Sequence, residues 1–261
     1  MKKFVLGGIV LSAMLALTTF AARADETIRF GVAAEPYPPF TSKDASGKWV
    51  GFEVDLMDAV CANLKAKCEI VEVAWDGIIP ALQAKKFDVI WSSMTITDKR
   101  KETIDFTEHY YATAAVIIGP KSASFNIDNK NPDSLKGKIV GVQTSTIHAQ
   151  YVQKYFGSAA TIKVYDTQDN VNADLVAGRI DCEMADSIAL ADFLKTDAGK
   201  DYEVKWTAPS DPILGDGVGG GILKTNTALK DKLNAAILAI KANGTYDAIA
   251  KKYFTFDVYG S

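Results

Sequence analysis

Between Ile90 and Arg100 the chain reads IWSSMTITDKR: the end of an apolar strand, three hydroxyls at Ser92, Ser93 and Thr95, then a guanidinium at Arg100. Thr97 has the character of an N-cap, with Asp98 to Arg100 opening a helix behind it. Free N–H groups and the positive end of a helix favour an anion there, and Arg100 can clamp a carboxylate through two parallel hydrogen bonds. The plainer alternative is a surface arginine on an ordinary helix, with the hydroxyls as caps. GVQTSTIH supplies a second hydroxyl cluster, Ser145 and Thr146, before another expected helix; by itself it reads as a simple cap. MADS places Asp186 after a strand, ready to accept from an ammonium group or to cap the helix expected over residues 187–195. An arginine with two helix starts suits an α-carboxylate, and Asp186 suits an α-ammonium. Together they form a recognition set for a free amino acid.

The elements that would hold these residues alternate. Thr27–Ala33 reads as a strand, followed by the proline-stiffened EPYPPF. GKWVGFEVDLMDAVCANL contains a turn and an amphipathic helix with Val54, Met57, Cys61 and Leu64 on one face. CEIVEVAW is a strand, DGIIPALQAKK a helix with Asp76 as its expected N-cap, and FDVIW a buried strand. After the strand TAAVIIG the order repeats: a strand over Lys138–Val142, then TIHAQYVQKYF, TIKVY, TQDNVNADLVAG, RIDCEMA and SIALADFLK as helix, strand, helix, strand and helix. GVGGGIL is a strand of little bulk. Two helices follow, broken at Asn243-Gly244. Strands alternating with helices predict α/β units with mostly parallel sheets. In such units ligands bind at the carboxyl ends of the strands.

The N-terminus reads as an export signal, with Lys2 and Lys3, an apolar run from Phe4 to Phe20, and Ala22-Arg23-Ala24 as a small-x-small cleavage site. A transmembrane anchor is the weaker alternative, because the run is short. Without Lys2, Lys3 and Arg23 the chain keeps 26 basic side chains against 32 acidic ones, a net charge of −6. That acidic, mixed surface argues against nucleic acid or anionic membrane as a partner. In an exported chain Cys61 and Cys68 favour a structural disulfide over two free buried thiols. Cys182 reads as a small apolar strand residue, and Trp49 and Trp91 as core aromatics.

YPPF, GFEVDL, DGIIPALQAKKFDVIWSSMTITDKR, IDFTEHYY, LKGKIVGV, AGRID and ANGTYDAIAKKYFTFDVYG run through the chain. In these it resembles the periplasmic amino-acid-binding proteins of ABC importers (solute-binding protein family 3). It is most similar to the lysine/arginine/ornithine- and histidine-binding group, with a flavour of opine-binding relatives. The resemblance implies a two-lobed clamshell (the type II periplasmic-binding-protein fold) with a two-strand hinge. Lobe 1 is expected over residues 25–113 and again over 213–261, lobe 2 over 114–212, and the signal peptide over 1–24. The chain would cross between lobes near Ala114–Val116 and Pro209–Gly215. The resemblance also implies that Arg100 holds the ligand carboxylate and Asp186 its ammonium. Ser92, Ser93 and Thr95 stand beside them, and Ser145 and Thr146 form the carboxylate-binding turn of lobe 2. Tyr37 and Trp75 would sandwich the ligand side chain, and Cys61 and Cys68 would form the family disulfide.

The chain departs from that pattern at Ala34, where basic-amino-acid members carry an acid. Its own acid, Glu35, lies two residues before Tyr37 and becomes the expected partner of a basic side chain. Ile147 replaces a usual polar residue, and Thr144 a common glycine. The expected ligand is arginine, lysine, ornithine or histidine, delivered to the membrane subunits of an ABC permease in the periplasm by a monomer without cofactor or metal. The alternatives are another polar amino acid or an opine. An enzyme such as a dehydratase on the same fold is the reading from another class. His109 and His148 lack metal-ligand spacing and no hydrolase motif occurs, with His148 expected on a helix surface or pocket rim. A receptor's sensing domain is a third reading, which the lack of an anchor or signalling segment disfavours.

Overall fold

The computed structural model describes residues 26–260; the expected signal peptide over residues 1–24 lies outside them. The chain begins with β1 (Thr27–Ala33), a hairpin of β2 (Ser42–Lys43) and β3 (Trp49–Val50), α1 (Phe52–Leu64) and β4 (Lys67–Val73). It continues through α2 (Ile78–Gln83), β5 (Val89–Ile90), α3 (Asp98–Lys101) and β6 (Asp105–Tyr111). A second run comprises β7 (Ala115–Pro120), β8 (Ile139–Gln143), α4 (Ile147–Phe156), β9 (Thr161–Tyr165), α5 (Gln168–Val176), β10 (Cys182–Asp186), α6 (Ser187–Phe193) and β11 (Tyr202–Thr207). The chain closes with β12 (Val218–Ile222), α7 (Thr227–Ala242) and α8 (Thr245–Tyr253).

Two five-stranded sheets form the two lobes, one ordered β4-β1-β5-β12-β6 and the other β11-β7-β10-β8-β9. In each, three strands pair in parallel as βαβ units require. The remaining strands add antiparallel edges: β12 and β6 in the first sheet, β7 and β11 in the second. Those antiparallel strands flank the crossings. The chain leaves the first sheet after β6 for β7, and returns after β11 to β12. Both faces of each sheet are covered, so the central strands are mostly apolar, with Glu183 and Asp186 of β10 as buried exceptions. β12 lies between β5 and β6 because its residues are slim. A Cβ on Gly219 would stand 2.8 Å from Ile96 Cδ1, so no larger side chain fits without displacing that isoleucine.

The break between α7 and α8 falls at Asn243-Gly244, with Gly244 at φ 79°. Cys61 and Cys68 are disulfide-bonded, tying α1 to β4. Cys182 is a free thiol buried in the core of the second lobe, where burial pushes it up to about 12.

Some local expectations are corrected. Asp76 caps nothing: it sits inside a single 3₁₀ turn, Trp75–Gly77, and α2 starts at Ile78 behind Gly77. Trp49 packs only against the edge of the first lobe's core. It is half-buried on the β2–β3 hairpin, with Lys43 over its ring and its Nε1 donating to Glu72 at 3.2 Å. Trp91 is buried as expected. Of the strands absent from the sequence reading, β2 and β3 are two-residue strands of a hairpin, and β6 and β11 are antiparallel additions that mix polar and apolar residues.

Candidate functional site

Arg100 is the third residue of α3, which is only four residues long. Thr97 caps it, its Oγ1 accepting from Arg100 N at 3.2 Å. A helix this short offers no developed dipole for an anion, so the guanidinium supplies the charge. Arg100 is 8% exposed. Its Nη1 donates to Thr95 O at 2.9 Å and its Nη2 to Ser145 O at 3.2 Å, across the gap between the lobes. Its guanidinium lies 5.6 Å from the centre of the Trp75 ring. Among the described residues no carboxylate pairs with it. Burial pulls its pKa down to about 10, against the pull of Asp186.

The hydroxyl turn before Arg100 is held from beneath. Ser92 Oγ accepts from Ala33 N at 3.0 Å, locking the turn to β1. Ser93 stands at φ 51°, the left-handed region. Its N–H donates to both carboxylate oxygens of Glu53 at 2.9 and 3.0 Å, and its Oγ donates to one of them at 2.9 Å. Ser93 thus spends both its main-chain N–H and its hydroxyl inside the lobe. Glu53 is wholly buried and also accepts from Tyr110 O–H at 2.6 Å. Burial raises its pKa although these hydrogen bonds pull the other way.

Asp186 ends β10, and its side chain caps nothing although it occupies the N-cap position of α6. Its Oδ2 accepts from Tyr37 O–H at 2.7 Å, a second bond between the lobes. Burial and the Asp186 charge push the Tyr37 phenol well above its usual range. His148, in the first turn of α4, is buried and lines the cavity, in keeping with the pocket-rim alternative and not with an exposed helix surface. Its Nε2 lies 3.5 Å from Asp186 Oδ1 and makes no hydrogen bond among the described residues.

Trp75 sits in the 3₁₀ turn after β4. Its Nε1 donates to Thr144 O at 3.0 Å, a third bond between lobes, and its backbone N–H points at the Glu35 carboxylate, 3.3 and 3.4 Å from the two oxygens. Thr146 caps α4: its Oγ1 accepts from Ala149 N at 3.0 Å and donates to Gln143 O at 2.7 Å.

Nine of the ten expected ligand-binding residues line one cavity between the lobes, enclosing about 560 Å³ of atom-free space, mouth included. They are Glu35, Tyr37, Trp75, Ser92, Ser93, Thr95, Arg100, Thr146 and Asp186. Ser145 is exposed and contributes its carbonyl to Arg100, its φ of 58° turning the backbone toward the cleft. Sequence reasoning missed Gln143 and Gln168, which also line the cavity, and Glu53, which props the turn. Gln168 opens α5 directly after β9, at a strand end; that position was the available signal.

This cleft between two α/β lobes defines a class of extracytoplasmic receptors. Residues 28–256 match the family of bacterial extracellular solute-binding proteins, family 3, and the chain belongs to it. Among its curated relatives is an L-arginine-binding protein of Pseudomonas aeruginosa, 45% identical over 264 residues covering all of both chains. Another is the lysine/arginine/ornithine-binding periplasmic protein of Escherichia coli, 41% identical over 266 residues and again covering both in full. Among solved structures, a Salmonella typhimurium periplasmic binding protein of high arginine specificity superposes with a TM-score of 0.80 at 34% identity, over 88% of this chain and all of that one.

Proposed function

We propose that the protein captures a free basic amino acid, arginine foremost, between its lobes in the periplasm and delivers it to the membrane subunits of an ABC importer. The observation that supports this most directly is Arg100: a buried, charged guanidinium in the cavity wall without a carboxylate partner among the described residues. A buried charge is stable only when paired, and a ligand α-carboxylate supplies the pair. In this reading the carboxylate lies between Arg100 and the Thr144–Thr146 turn, and the ammonium meets Asp186. The side chain runs between Tyr37 and Trp75 with its cationic end toward Glu35. The names of the relatives point to the same ligand class. The protein binds without transforming: no step of bond making is asked of these residues.

Calorimetric titration with arginine, lysine, ornithine, histidine, glutamine and an opine tests the reading. Arginine is expected to bind most tightly and to be recovered unchanged. Tight glutamine binding with no response to any basic amino acid would refute it, and turnover of any ligand would refute the binding-only role.

A further inference from the structure

Asp186, which meets the ligand ammonium in the proposed function, is held by little of its own lobe. It occupies the N-cap position of α6, but its side chain caps nothing. Its Oδ2 accepts from Tyr37 O–H at 2.7 Å, and Tyr37 belongs to the first lobe. Arg100, whose charge also attracts Asp186, belongs to the first lobe as well. In an opened cleft both would leave with that lobe. A carboxylate without partners samples several rotamers, and a ligand that needs one of them must bear the cost of fixing it.

His148 is the basic side chain of the second lobe that reaches Asp186. It lies on α4, which follows β8, and β8 pairs directly with β10, whose last residue is Asp186. Both side chains line the cavity. Both are more than nine-tenths buried, at 6% and 8% exposure. His148 Nε2 stands 3.5 Å from Asp186 Oδ1 and has no hydrogen-bond partner among the described residues. A bare lone pair on that nitrogen would face an anion, so the proton belongs on Nε2. A shortening of a few tenths of an ångström then makes Nε2–H to Oδ1 a hydrogen bond. Each carboxylate oxygen carries two lone pairs. Tyr37 takes one on Oδ2 and His148 takes one on Oδ1, which leaves one on each oxygen for an ammonium.

We propose that His148 is a positioning residue. Its Nε2–H holds Asp186 Oδ1 from within the second lobe, so that the carboxylate is already set toward the cleft before the lobes close on the α-ammonium. His148 acts through Asp186 and not on the ligand. The proposal rests on the reading of the ligand as a free amino acid.

The test is calorimetric titration with arginine and with argininic acid, in which a hydroxyl replaces the α-ammonium, in wild type, His148→Leu and His148→Gln. His148→Leu is expected to lower the preference for arginine over argininic acid about tenfold, the scale of one lost hydrogen bond to a charged group. His148→Gln places an amide donor near the same point and is expected to recover most of that preference. Damage to the fold or to the neighbouring Thr146 turn would weaken both ligands together and leave the preference unchanged. Equal preferences in all three proteins would overturn the proposal. Should His148→Leu fail to fold, the long-range 1H–15N spectrum of ligand-free wild type decides, with the His148 signals identified by their absence from His148→Gln. His148 is expected to carry a proton on Nε2, and a neutral ring protonated on Nδ1 alone would overturn the proposal. Arginine binding by wild type tests the ligand reading separately: equal preferences in a set whose wild type binds arginine leave that reading intact.

Discussion

Arg100, Thr95 and Asp186 were legible as candidate site residues because hydroxyl, guanidinium and carboxylate stand together at strand ends, where backbone geometry opens toward a cleft. Glu53 was not, because its role is non-local: its carboxylate holds Ser93, forty positions along the chain. Nor does any residue pattern announce that Ser93 and Ser145 adopt left-handed backbone conformations. Arg100→Ala is expected to weaken arginine binding by about 2–5 kcal/mol, and Arg100→Lys to recover only part of it, since a point charge cannot replace a fork. Glu53→Gln puts an NH2 among donors and should destabilise the fold by about 1–3 kcal/mol, with weaker ligand binding as the Ser92–Thr95 turn loosens; urea unfolding and titration report the two effects. Glu53 and Glu183 hold their protons to higher pH in the folded chain than in the unfolded one. Their contribution to stability is therefore fully present below the unfolded carboxyl value, about 4.3, and is lost as pH rises toward their folded values. Urea unfolding between about pH 5 and pH 8 should show wild type losing stability relative to Glu183→Gln, whose side chain cannot ionise. Parallel curves would contradict the sign.

At the level of elements, the capped helices and the βαβ strands were readable. β1 and β9 match their expected bounds, because apolar runs between turn signals fix them. The element behind DGIIPALQAKK came out shorter and began later: Trp75 is drawn toward the other lobe, and its turn is 3₁₀ where a regular helix was expected. Nothing local encodes that pull. Thr146 serves two ends at once, capping α4 and fastening the end of β8 through Gln143 O. Thr146→Ala should cost about 0.5–2 kcal/mol of stability and also lower ligand affinity, because the turn carrying the Ser145 carbonyl loses its anchor. Thr146→Ser should restore both, and a stability loss with unchanged affinity would separate cap from site.

At the scale of the whole molecule, hydrogen bonds among the described residues join the lobes over the cleft, from Trp75 to Thr144, Arg100 to Ser145, and Tyr37 to Asp186. They describe a closed arrangement with the cavity walls already in register. Ligand that touches both lobes should shift an open–closed equilibrium toward this form. Small-angle scattering is expected to give a smaller radius of gyration at saturating arginine than without it. Trp75→Phe removes one bridging donor, and should raise the dissociation constant several-fold, on the order of 0.5–1.5 kcal/mol, while leaving each lobe intact. A scattering profile indifferent to arginine would count against hinge closure.

The buried thiol of Cys182 has a practical consequence for reading that motion. A thiol pushed up to about 12 and sealed in the second lobe's core is almost entirely protonated, and it is shielded from reagents. Both other cysteines are committed to each other. A single cysteine introduced at the exposed lip position Ser145 would therefore be the only site to take a maleimide fluorophore, with no native cysteine removed. Such a conjugate would make the cleft its own optical gauge of amino-acid concentration.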